Sequence, residues 1–221
     1  MLSSRVRIGI VDDQRLFAEG LGMLVGAQAD LEFVGIANDG ADASDFVRDA
    51  CPDVLLMDIR MPRVNGIEAT RRLAADRSHD TKVIVLTTIQ DDRAALEAMR
   101  AGAVAFLTKA ATGQEVLATI RAAAGGDDDS VFTGAVAELL SGAPPEARGS
   151  VDAALTPREI EVITRVARGS SNSDIAAQEF VTEATVKSHV SAALRKLSLT
   201  SRVQLVIYAY DHGLALPRNG R

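Results

Sequence analysis

Residues 53–66 read Asp-Val-Leu-Leu-Met-Asp-Ile-Arg-Met-Pro-Arg-Val-Asn-Gly. Within this stretch the apolar run 54–57 ends on Asp58, and Pro62 and the pair Asn65-Gly66 follow closely. Such a pattern is typical of a buried strand that carries an acid at its exposed end and then enters a loop. In an open parallel sheet, ligands bind outside the carboxyl ends of the strands. Asp58 is therefore predicted to lie where a ligand can reach it.

Three other apolar runs also end on polar side chains. These side chains are Asp12 and Asp13 after residues 6–11, Thr87 after residues 82–86, and Lys109 after residues 105–108. A lone Asp after a strand is more often an ordinary turn residue, because Asp is common in turns. If the four runs are neighbouring parallel strands, however, three carboxylates, a hydroxyl and an ammonium group meet at one edge of the sheet.

This combination of groups suits phosphoryl chemistry. Three nearby carboxylates repel one another unless a cation shares them, and Mg²⁺ (or Mn²⁺) prefers such oxygen ligands. Asp58 could then act as a nucleophile towards phosphorus, as carboxylates do when they form aspartyl phosphates. Lys109 would neutralise one phosphoryl oxygen and Thr87 would donate a hydrogen bond to another.

Composition limits the class of protein. A chain of 221 residues suits one large or two modest domains. It is 47% hydrophobic but has no long uninterrupted apolar stretch, so no transmembrane helix and no membrane partner are expected. The N-terminus leads directly into a strand pattern, so no secretory signal is expected. Cys51 is the single cysteine, which excludes an internal disulfide and favours a cytoplasmic location.

The first 125 residues alternate short β-branched runs with helical patterns five times. This alternation predicts a five-stranded, doubly wound parallel sheet of the flavodoxin-like α/β class. Strands are expected near residues 6–11, 31–36, 54–57, 82–87 and 104–108. Helices are expected near residues 15–27, 41–49, 66–76, 92–101 and 113–124. The run Thr112-Gly113-Gln114-Glu115 predicts a capping box at the start of the last helix.

A change in composition separates a second domain. Residues 126–150 are rich in Gly, Pro and Asp and predict a linker, with a possible short helix at 133–140. Residues 151–216 are predicted to form a small all-α domain, and residues 217–221 a tail. Residues 150–221 carry 9 basic and 7 acidic side chains, so only this part of the chain is a plausible polyanion binder.

Capping signals divide the second domain into four helices. Thr156 before Pro157 starts the first helix, Asn172 or Ser173 the second, Thr182 the third, and Thr200 or Ser201 the fourth. The second and third helices, with a tight turn between them, form a helix-turn-helix whose latter member can enter a major groove. Similar patterns also occur in helical bundles that bind no DNA.

The first domain resembles the receiver domain of two-component response regulators over residues 5–125. The resemblance rests on Asp12-Asp13, on Asp58-Ile59-Arg60-Met61-Pro62 with Gly66, on Leu86-Thr87-Thr88, and on Ala101-Gly102-Ala103 leading to Phe106-Leu107-Thr108-Lys109. It implies a phosphoacceptor (Asp58), Mg²⁺ ligands (Asp12, Asp13, Asp58 and the backbone carbonyl of Arg60), switch residues (Thr87 and Phe106) and a phosphate-binding lysine (Lys109). It also implies a sensor histidine kinase as the phosphate donor.

The second domain resembles the LuxR-type DNA-binding domain, so the whole chain is similar to a response regulator of the NarL/FixJ class. The resemblance rests on Leu155-Thr156-Pro157-Arg158-Glu159, residues 168–176, Thr185-Val186-Lys187-Ser188-His189-Val190 and Leu194-Arg195-Lys196-Leu197. Val186, Val190, Leu194 and Leu197 would form the buried stripe of the recognition helix. The expected contacts with double-stranded DNA are Asn172, Thr182, Thr185, Lys187, Ser188, Ser191 and Arg195.

Some positions depart from the family pattern. Ser170 and Phe180 stand where the family usually has Leu, and both are expected to be tolerated in a small core. Ser191 stands where some members carry a basic residue, so operator specificity does not transfer. The fourth helix, with Val203, Val206 and Ile207, is expected either to offer a homodimer surface or to close the domain core.

The sequence thus predicts a phosphorylation-controlled, DNA-binding transcription regulator that is not an enzyme and pairs as a homodimer when phosphorylated. One alternative is a DNA-binding regulator whose receiver is an interaction module independent of phosphate. Another is a phosphatase with an Asp nucleophile. Phosphatases of that type need a second Asp two residues after the first, and Arg60 occupies that position.

Overall fold

A computed structural model describes residues 5–87, 92–125, 152, 154–199 and 201–215. The chain divides into two compact units, one that ends at Gly126 and one that begins at Asp127. The predicted linker, its possible helix at 133–140 and the predicted tail lie outside the described residues.

The N-terminal unit contains a parallel sheet of five strands in the order β2-β1-β3-β4-β5. The strands are β1 Val6–Val11, β2 Leu31–Ala37, β3 Val54–Asp58, β4 Lys82–Thr87 and β5 Ala105–Thr108. The predicted α/β fold is confirmed. In the register, Val11 lies opposite Met57 and Asp58 lies opposite Leu86, so the ends of β1, β3 and β4 are level. This alignment gathers the polar residues that end the strands at one edge of the sheet.

Helices follow the strands as predicted. They are α1 Arg15–Gly26, α2 Ala43–Ala50, α3 Gly66–Ala75, α4 Asp92–Ala101 and α5 Gly113–Gly125. The helix expected at 41–49 is split, because a short 3₁₀ turn, Gly40–Asp42, precedes α2 and is capped by the side chain of Asp39. The capping box before α5 is present: Thr112 N donates to Glu115 at 2.7 Å, and Glu115 N donates to Thr112 Oγ1 at 3.3 Å.

The central strands form the core. The side chains of Ile8 and Ile10 in β1, and of Leu55, Leu56 and Met57 in β3, are completely buried. Both faces of a parallel sheet are covered by helices, so such strands are apolar throughout instead of alternating. Each of these side chains stabilises the fold by roughly 1.5 to 3 kcal/mol. The core therefore holds the ends of β1 and β3 rigidly beside each other.

The C-terminal unit is helical in its described part. Its helices are α6 Pro157–Ala167, α7 Asn172–Glu179, α8 Glu183–Lys196 and α9 Arg202–Asp211. Thr156, Thr182 and Ser201 cap α6, α8 and α9 as predicted. The predicted cap of α7, Asn172 or Ser173, is wrong. Ser171 is the cap, because its side chain and that of Asp174 form a reciprocal capping box.

The recognition stripe is only partly buried as predicted. Val186 and Val190 are buried, whereas Leu194 and Leu197 are half-buried and Ala193 is the fully buried residue of that turn. The helical period of 3.6 explains this shift, since it brings residues 186, 190 and 193 to the same side of α8. The predicted stripe therefore needs Ala193 as an additional member.

The expectation that Phe180 lies in the core is wrong. Phe180 does not lie in the core: its side chain is 96% exposed, in the left-handed backbone conformation (φ 54°) that ends α7. A left-handed residue at a helix end turns the chain away from the helix, which carries this ring into solvent.

Val203, Val206 and Ile207 are buried within the C-terminal unit. They close its core, so these three side chains do not form a homodimer surface.

Among the described helices, none combines the length and the apolar composition that a membrane span requires.

A buried acid joins the N-terminal end of α6 to the C-terminal end of α8. Glu159 is 4% exposed, accepts from Thr156 N at 2.7 Å and pairs with Lys196 Nζ at 2.7 Å. Burial by itself raises the pKa of Glu159, but the Lys196 and Thr156 hydrogen bonds outweigh it and lower the pKa to about 2. Since the pKa is lower in the folded state, the stabilisation is complete above the ordinary pKa and is lost as the pH falls towards 2.

We expect Glu159→Gln to lower the free energy of unfolding of the C-terminal unit at neutral pH by about 1 to 2 kcal/mol, because a charged hydrogen bond is lost. The difference from wild type should shrink steadily as the pH falls from 4.5 towards 2, which urea unfolding at a series of pH values measures. Glu183→Gln, at the exposed start of α8, is the control and should cost at most about 0.3 to 1 kcal/mol, the contribution of an acid in the first turn of a helix. A deficit that does not change with pH would contradict the role of the Glu159 charge.

Candidate functional site

The carboxyl edge of the sheet brings together the acids and the lysine that the sequence singled out. Asp12 follows β1, Asp58 ends β3 and Lys109 follows β5. The ammonium nitrogen of Lys109 lies 2.8 Å from Asp12 Oδ2 and 3.2 Å from Asp58 Oδ2. Both carboxylates are almost completely buried. The centre of the site is thus a cation held between two buried anions.

A third carboxylate borders the same site. Oxygen atoms of Asp12, Asp13 and Asp58 all lie within 4.8 Å of one another, and Asp13 is exposed to solvent. In the described part of the chain, the buried Oδ2 atoms of Asp12 and Asp58 accept no well-formed hydrogen bond. Three carboxylates and one ammonium group leave two negative charges uncompensated. This donor set fits Mg²⁺ or Mn²⁺, which favour carboxylate oxygens and keep open positions for other ligands.

The surroundings of Asp58 disfavour the ionised form of its carboxyl group. Burial raises the pKa of Asp58, and the negative charge of Asp12 raises it further. The ammonium group of Lys109 and the backbone N–H of Arg60 act in the opposite direction and lower the pKa of Asp58. A carboxylate in this position gains more from a nearby cation than one in water, because little solvent is available to screen its charge.

Thr87 and Phe106 lie on the neighbouring strands. Thr87 is buried at the end of β4, and its carbonyl accepts from Lys109 N at 2.6 Å, which holds the start of the β5 loop against β4. Phe106 lies on β5 and is only partly buried, so it is not an ordinary core aromatic. Thr87 thus lies at the edge on which the acids meet, and Phe106 lies opposite Val85, one residue before the level of Asp58.

Three features of the site did not emerge from the sequence. The ring of Phe17 in α1 lies 4.8 Å from Lys109 Nζ, a cation–π distance, although nothing in the local pattern links residues 17 and 109. The carboxylate of Asp39 accepts hydrogen bonds from the loop after β3. Gly66 packs against the backbone of Asp58. The Asn-Gly pair at 65–66 signals a turn but not this contact.

Gly66 is the first residue of α3 and packs against the backbone of Asp58. Its N–H donates to Ile59 O at 2.9 Å, and a Cβ at this position would overlap the carbonyl oxygen and carbon of Asp58. Real Cβ atoms do not approach backbone atoms so closely, so only glycine lets the chain turn back here. The loop between β3 and α3 is therefore closed tightly on the acid that it follows.

The C-terminal unit presents a polar face on α8 and its preceding turn. The exposed members of this face are Thr182, Thr185, Lys187, Ser188, Ser191 and Arg195. The hydroxyl oxygens of Thr182 and Thr185 lie 2.9 Å apart at the start of the helix. Asn172 is half-buried, and its Oδ1 accepts from Arg202 Nη1 at 2.6 Å. Asn172 thus ties α7 to α9, and this oxygen is already engaged within the unit.

Comparisons with known proteins cover both units. A family model described as the response regulator receiver domain matches residues 8–121. A second model, described as bacterial regulatory proteins of the luxR family, matches residues 153–209. Together these matches include the acidic site of the first unit, helices α6 to α8 and most of α9.

Relatives match over nearly their full length. The chain is 36% identical to the transcriptional regulatory protein YxjL of Bacillus subtilis, covering 97% of this chain and 99% of that protein. It is 35% identical to the transcriptional regulatory protein LiaR of the same organism, covering 95% and 99%. It is 32% identical to the response regulator protein VraR of Staphylococcus aureus, covering 95% and 98%.

Solved structures agree with the fold. The receiver domain of the response regulator NarL from Mycobacterium tuberculosis aligns with a TM-score of 0.54 at 29% identity, covering 56% of this chain and 99% of that one. Full-length FixJ from B. japonicum aligns with a TM-score of 0.51 at 25% identity, covering 96% and 99%.

We expect Gly66→Ala to displace the backbone at Asp58 and to lower the free energy of unfolding of the N-terminal unit by about 2 to 3 kcal/mol, the cost of an overpacked site. Gly20→Ala is the matched control, because a Cβ on this exposed residue of α1 meets open space. That variant should gain about 0.5 to 1 kcal/mol from its better helix propensity. Denaturant unfolding of both variants measures the difference, and equal effects would contradict the close packing of Gly66 on Asp58.

Proposed function

This chain belongs to the response regulators that join a receiver domain to a LuxR-family DNA-binding domain, and on that premise we propose that it regulates transcription under control of phosphorylation at Asp58. The resemblance predicted from the sequence is confirmed, and the family consists of regulators, not enzymes. The observation that carries the proposal is the buried cluster of Asp12, Lys109 and Asp58 at the sheet edge.

Asp58 is the proposed phosphoacceptor. One oxygen of its carboxylate attacks the phosphorus of a phosphohistidine on a sensor histidine kinase. A P–O bond forms as the P–N bond breaks, and the histidine nitrogen leaves with the electron pair. Such transfers pass through a loose transition state, so positioning and charge matter more than proton transfer. Lys109, whose ammonium group already contacts Asp58, neutralises a phosphoryl oxygen, and the Thr87 hydroxyl donates to another.

Asp12, Asp13, Asp58 and the backbone carbonyl of Arg60 are the residues that would hold Mg²⁺ or Mn²⁺. When bound, the ion supplies positive charge that offsets both the acids and the incoming phosphoryl group. The sheet keeps the acids beside one another before any ligand arrives, because their strands are anchored in the core.

The phosphoryl group is proposed to act through Thr87 and Phe106. It adds roughly two negative charges and three acceptor oxygens at Asp58, which draws the Thr87 hydroxyl towards it. The volume that Thr87 leaves is open to the partly buried ring of Phe106 on the adjacent strand. A local change in charge is thereby converted into a change of packing on the surface of β4 and β5.

The C-terminal unit is proposed to bind double-stranded DNA through α8. Lys187, Ser188, Ser191 and Arg195 face the major groove and its walls, and Thr182 and Thr185 approach phosphates at the helix start. Asn172 is a weaker candidate, since one of its polar atoms is engaged by Arg202. We place the protein in the cytoplasm, where a kinase phosphohistidine and DNA are both accessible.

A phosphorylated homodimer would place two α8 helices about one DNA turn apart on a pseudo-palindromic site. Its interface must use side chains other than Val203, Val206 and Ile207, because these lie in the core of the unit.

Labelling by a small phosphodonor tests the phosphoacceptor. With acetyl phosphate and Mg²⁺, wild type and Asp76→Asn should incorporate phosphate equally, because Asp76 is exposed at the far end of α3. Asp58→Asn should incorporate almost none, since it has no carboxylate to attack phosphorus. Mass spectrometry of the intact chain measures the outcome. Equal labelling of Asp58→Asn would overturn the proposed phosphorylation and favour a receiver that acts without phosphate.

Salt-dependent affinity tests the DNA face. On a duplex selected from a random-sequence pool, Lys187→Ala should weaken binding by about tenfold and lower the slope of log affinity against log salt by about 1, as expected for one lost phosphate contact. Arg71→Ala, exposed on the N-terminal unit, is the control and should change neither quantity. Fluorescence anisotropy at several salt concentrations measures both. Unchanged binding by Lys187→Ala would exclude this residue from the DNA interface.

A further inference from the structure

Asp39 is a buried acid outside the cluster described above. It follows β2, two residues after the strand ends, and is only 4% exposed. Burying a carboxylate is costly unless several hydrogen bonds replace its water. The partners of Asp39 therefore indicate what this burial accomplishes.

The carboxylate of Asp39 binds two separate loops. Its Oδ1 accepts from Ala41 N at 2.9 Å, which caps the short turn before α2. The same Oδ1 accepts from Val64 N at 3.1 Å, and Oδ2 accepts from Arg63 N at 2.9 Å. A cap for the turn requires the Ala41 bond alone. The other two bonds reach the loop between β3 and α3, which carries the residues that follow Asp58.

This loop, residues 59–65, is anchored to the sheet at its start, and its two ends are joined to each other. Ile59 N donates to Leu86 O at 3.1 Å, and Gly66 N donates to Ile59 O at 2.9 Å. The backbone N–H of Arg60 lowers the pKa of Asp58, so the orientation of this peptide affects the acid directly. Asp39 holds the outer part of the loop through backbone groups, which specify where its peptides lie and not which side chains they carry.

A second close approach lies next to Asp39. A Cβ on Gly40 would overlap the carbonyl oxygen of Val64, so the two loops can meet only if residue 40 lacks a side chain. Arg63 adds an ion pair, with Nε 3.6 Å from Asp39 Oδ1 and another contact from its guanidinium to Asp42. The contact between the loops thus consists of two backbone bonds, one glycine and an exposed ion pair.

We propose that Asp39 is a positioning residue that sets the peptides after Asp58 in the geometry that metal binding and phosphorylation require. The inference rests on the proposed function of Asp58. Asp39 does not touch the acidic cluster and acts through the loop of residues 59–65. Groups that orient metal ligands from outside typically change metal affinity or activity by about 10- to 100-fold when they are altered.

Three variants separate the components of this contact. Asp39→Asn keeps an oxygen acceptor for Ala41 and Val64 but places an NH₂ group against the Arg63 N–H, so it breaks one backbone bond selectively. Gly40→Ala leaves Asp39 intact and pushes the same loop from the other side. Arg63→Gln removes the exposed ion pair but keeps the backbone bond, which makes it the matched control.

Full-length wild type and the three variants should be titrated with Mg²⁺ by calorimetry, labelled with acetyl phosphate, and unfolded thermally. We expect Asp39→Asn and Gly40→Ala to bind Mg²⁺ about tenfold more weakly and to label correspondingly more slowly at a fixed, subsaturating Mg²⁺ concentration. A high Mg²⁺ concentration should restore much of the labelling rate. Arg63→Gln should match wild type in both measurements.

The results distinguish the possible failures. If folded Asp39→Asn binds Mg²⁺ and labels like wild type, Asp39 serves only the stability of the fold and the inference is wrong. A lower unfolding temperature without a change in Mg²⁺ affinity leads to the same conclusion. If Arg63→Gln is as impaired as Asp39→Asn, the ion pair of Arg63, and not the hydrogen bond from its backbone N–H to Asp39, positions the loop, and the inference is wrong. If wild type itself neither binds Mg²⁺ nor labels, the proposed function fails, and this inference fails with it.

Discussion

The contact of one ammonium group with two buried carboxylates governs the arrangement of the N-terminal unit. Lys109 meets Asp12 and Asp58 at 2.8 and 3.2 Å, where almost no water reaches any of them. Two carboxylates in such a place would each cost several kcal/mol in lost hydration without a nearby cation. The strand order β2-β1-β3-β4-β5 puts the two acidic strands side by side and brings the lysine from the edge strand β5 to both. The apolar core of β1 and β3 then prevents the like charges from moving apart.

Local patterns in the sequence were sufficient to predict the strands, most helix starts and the residues of the acidic cluster. Asp58, for example, could be placed because an apolar run, a terminal acid and an Asn-Gly pair each have a local physical meaning. The helix caps Thr156 and Thr182 were found for the same reason. The roles of Thr87 and Phe106 stay predictions, because a single conformation does not test a switch.

Features that depend on two distant segments could not be predicted in this way. Asp39 and Gly40 look like an ordinary turn signal, and only the folded chain reveals that they meet Arg63 and Val64. The cap of α7 was misplaced by one or two residues because Ser171, Asn172 and Ser173 are all good caps. Asp174 decides between them by pairing with Ser171, while Asn172 is engaged by Arg202. Phe180 is expected in the core because the family usually has Leu at this position, and that comparison does not include the left-handed backbone that directs the ring outward.

The strand order affects how the N-terminal unit folds during synthesis on the ribosome. The two acids of the loop after β1 are synthesised early and Asp58 later, yet Lys109, whose ammonium group offsets them, follows the last strand of the sheet. Until Lys109 has been synthesised, no ammonium group offsets these carboxylates, and their burial would be costly, so they stay hydrated. The early strands therefore cannot settle into their final packing as each is made, and the unit must wait for its fifth strand before folding is complete.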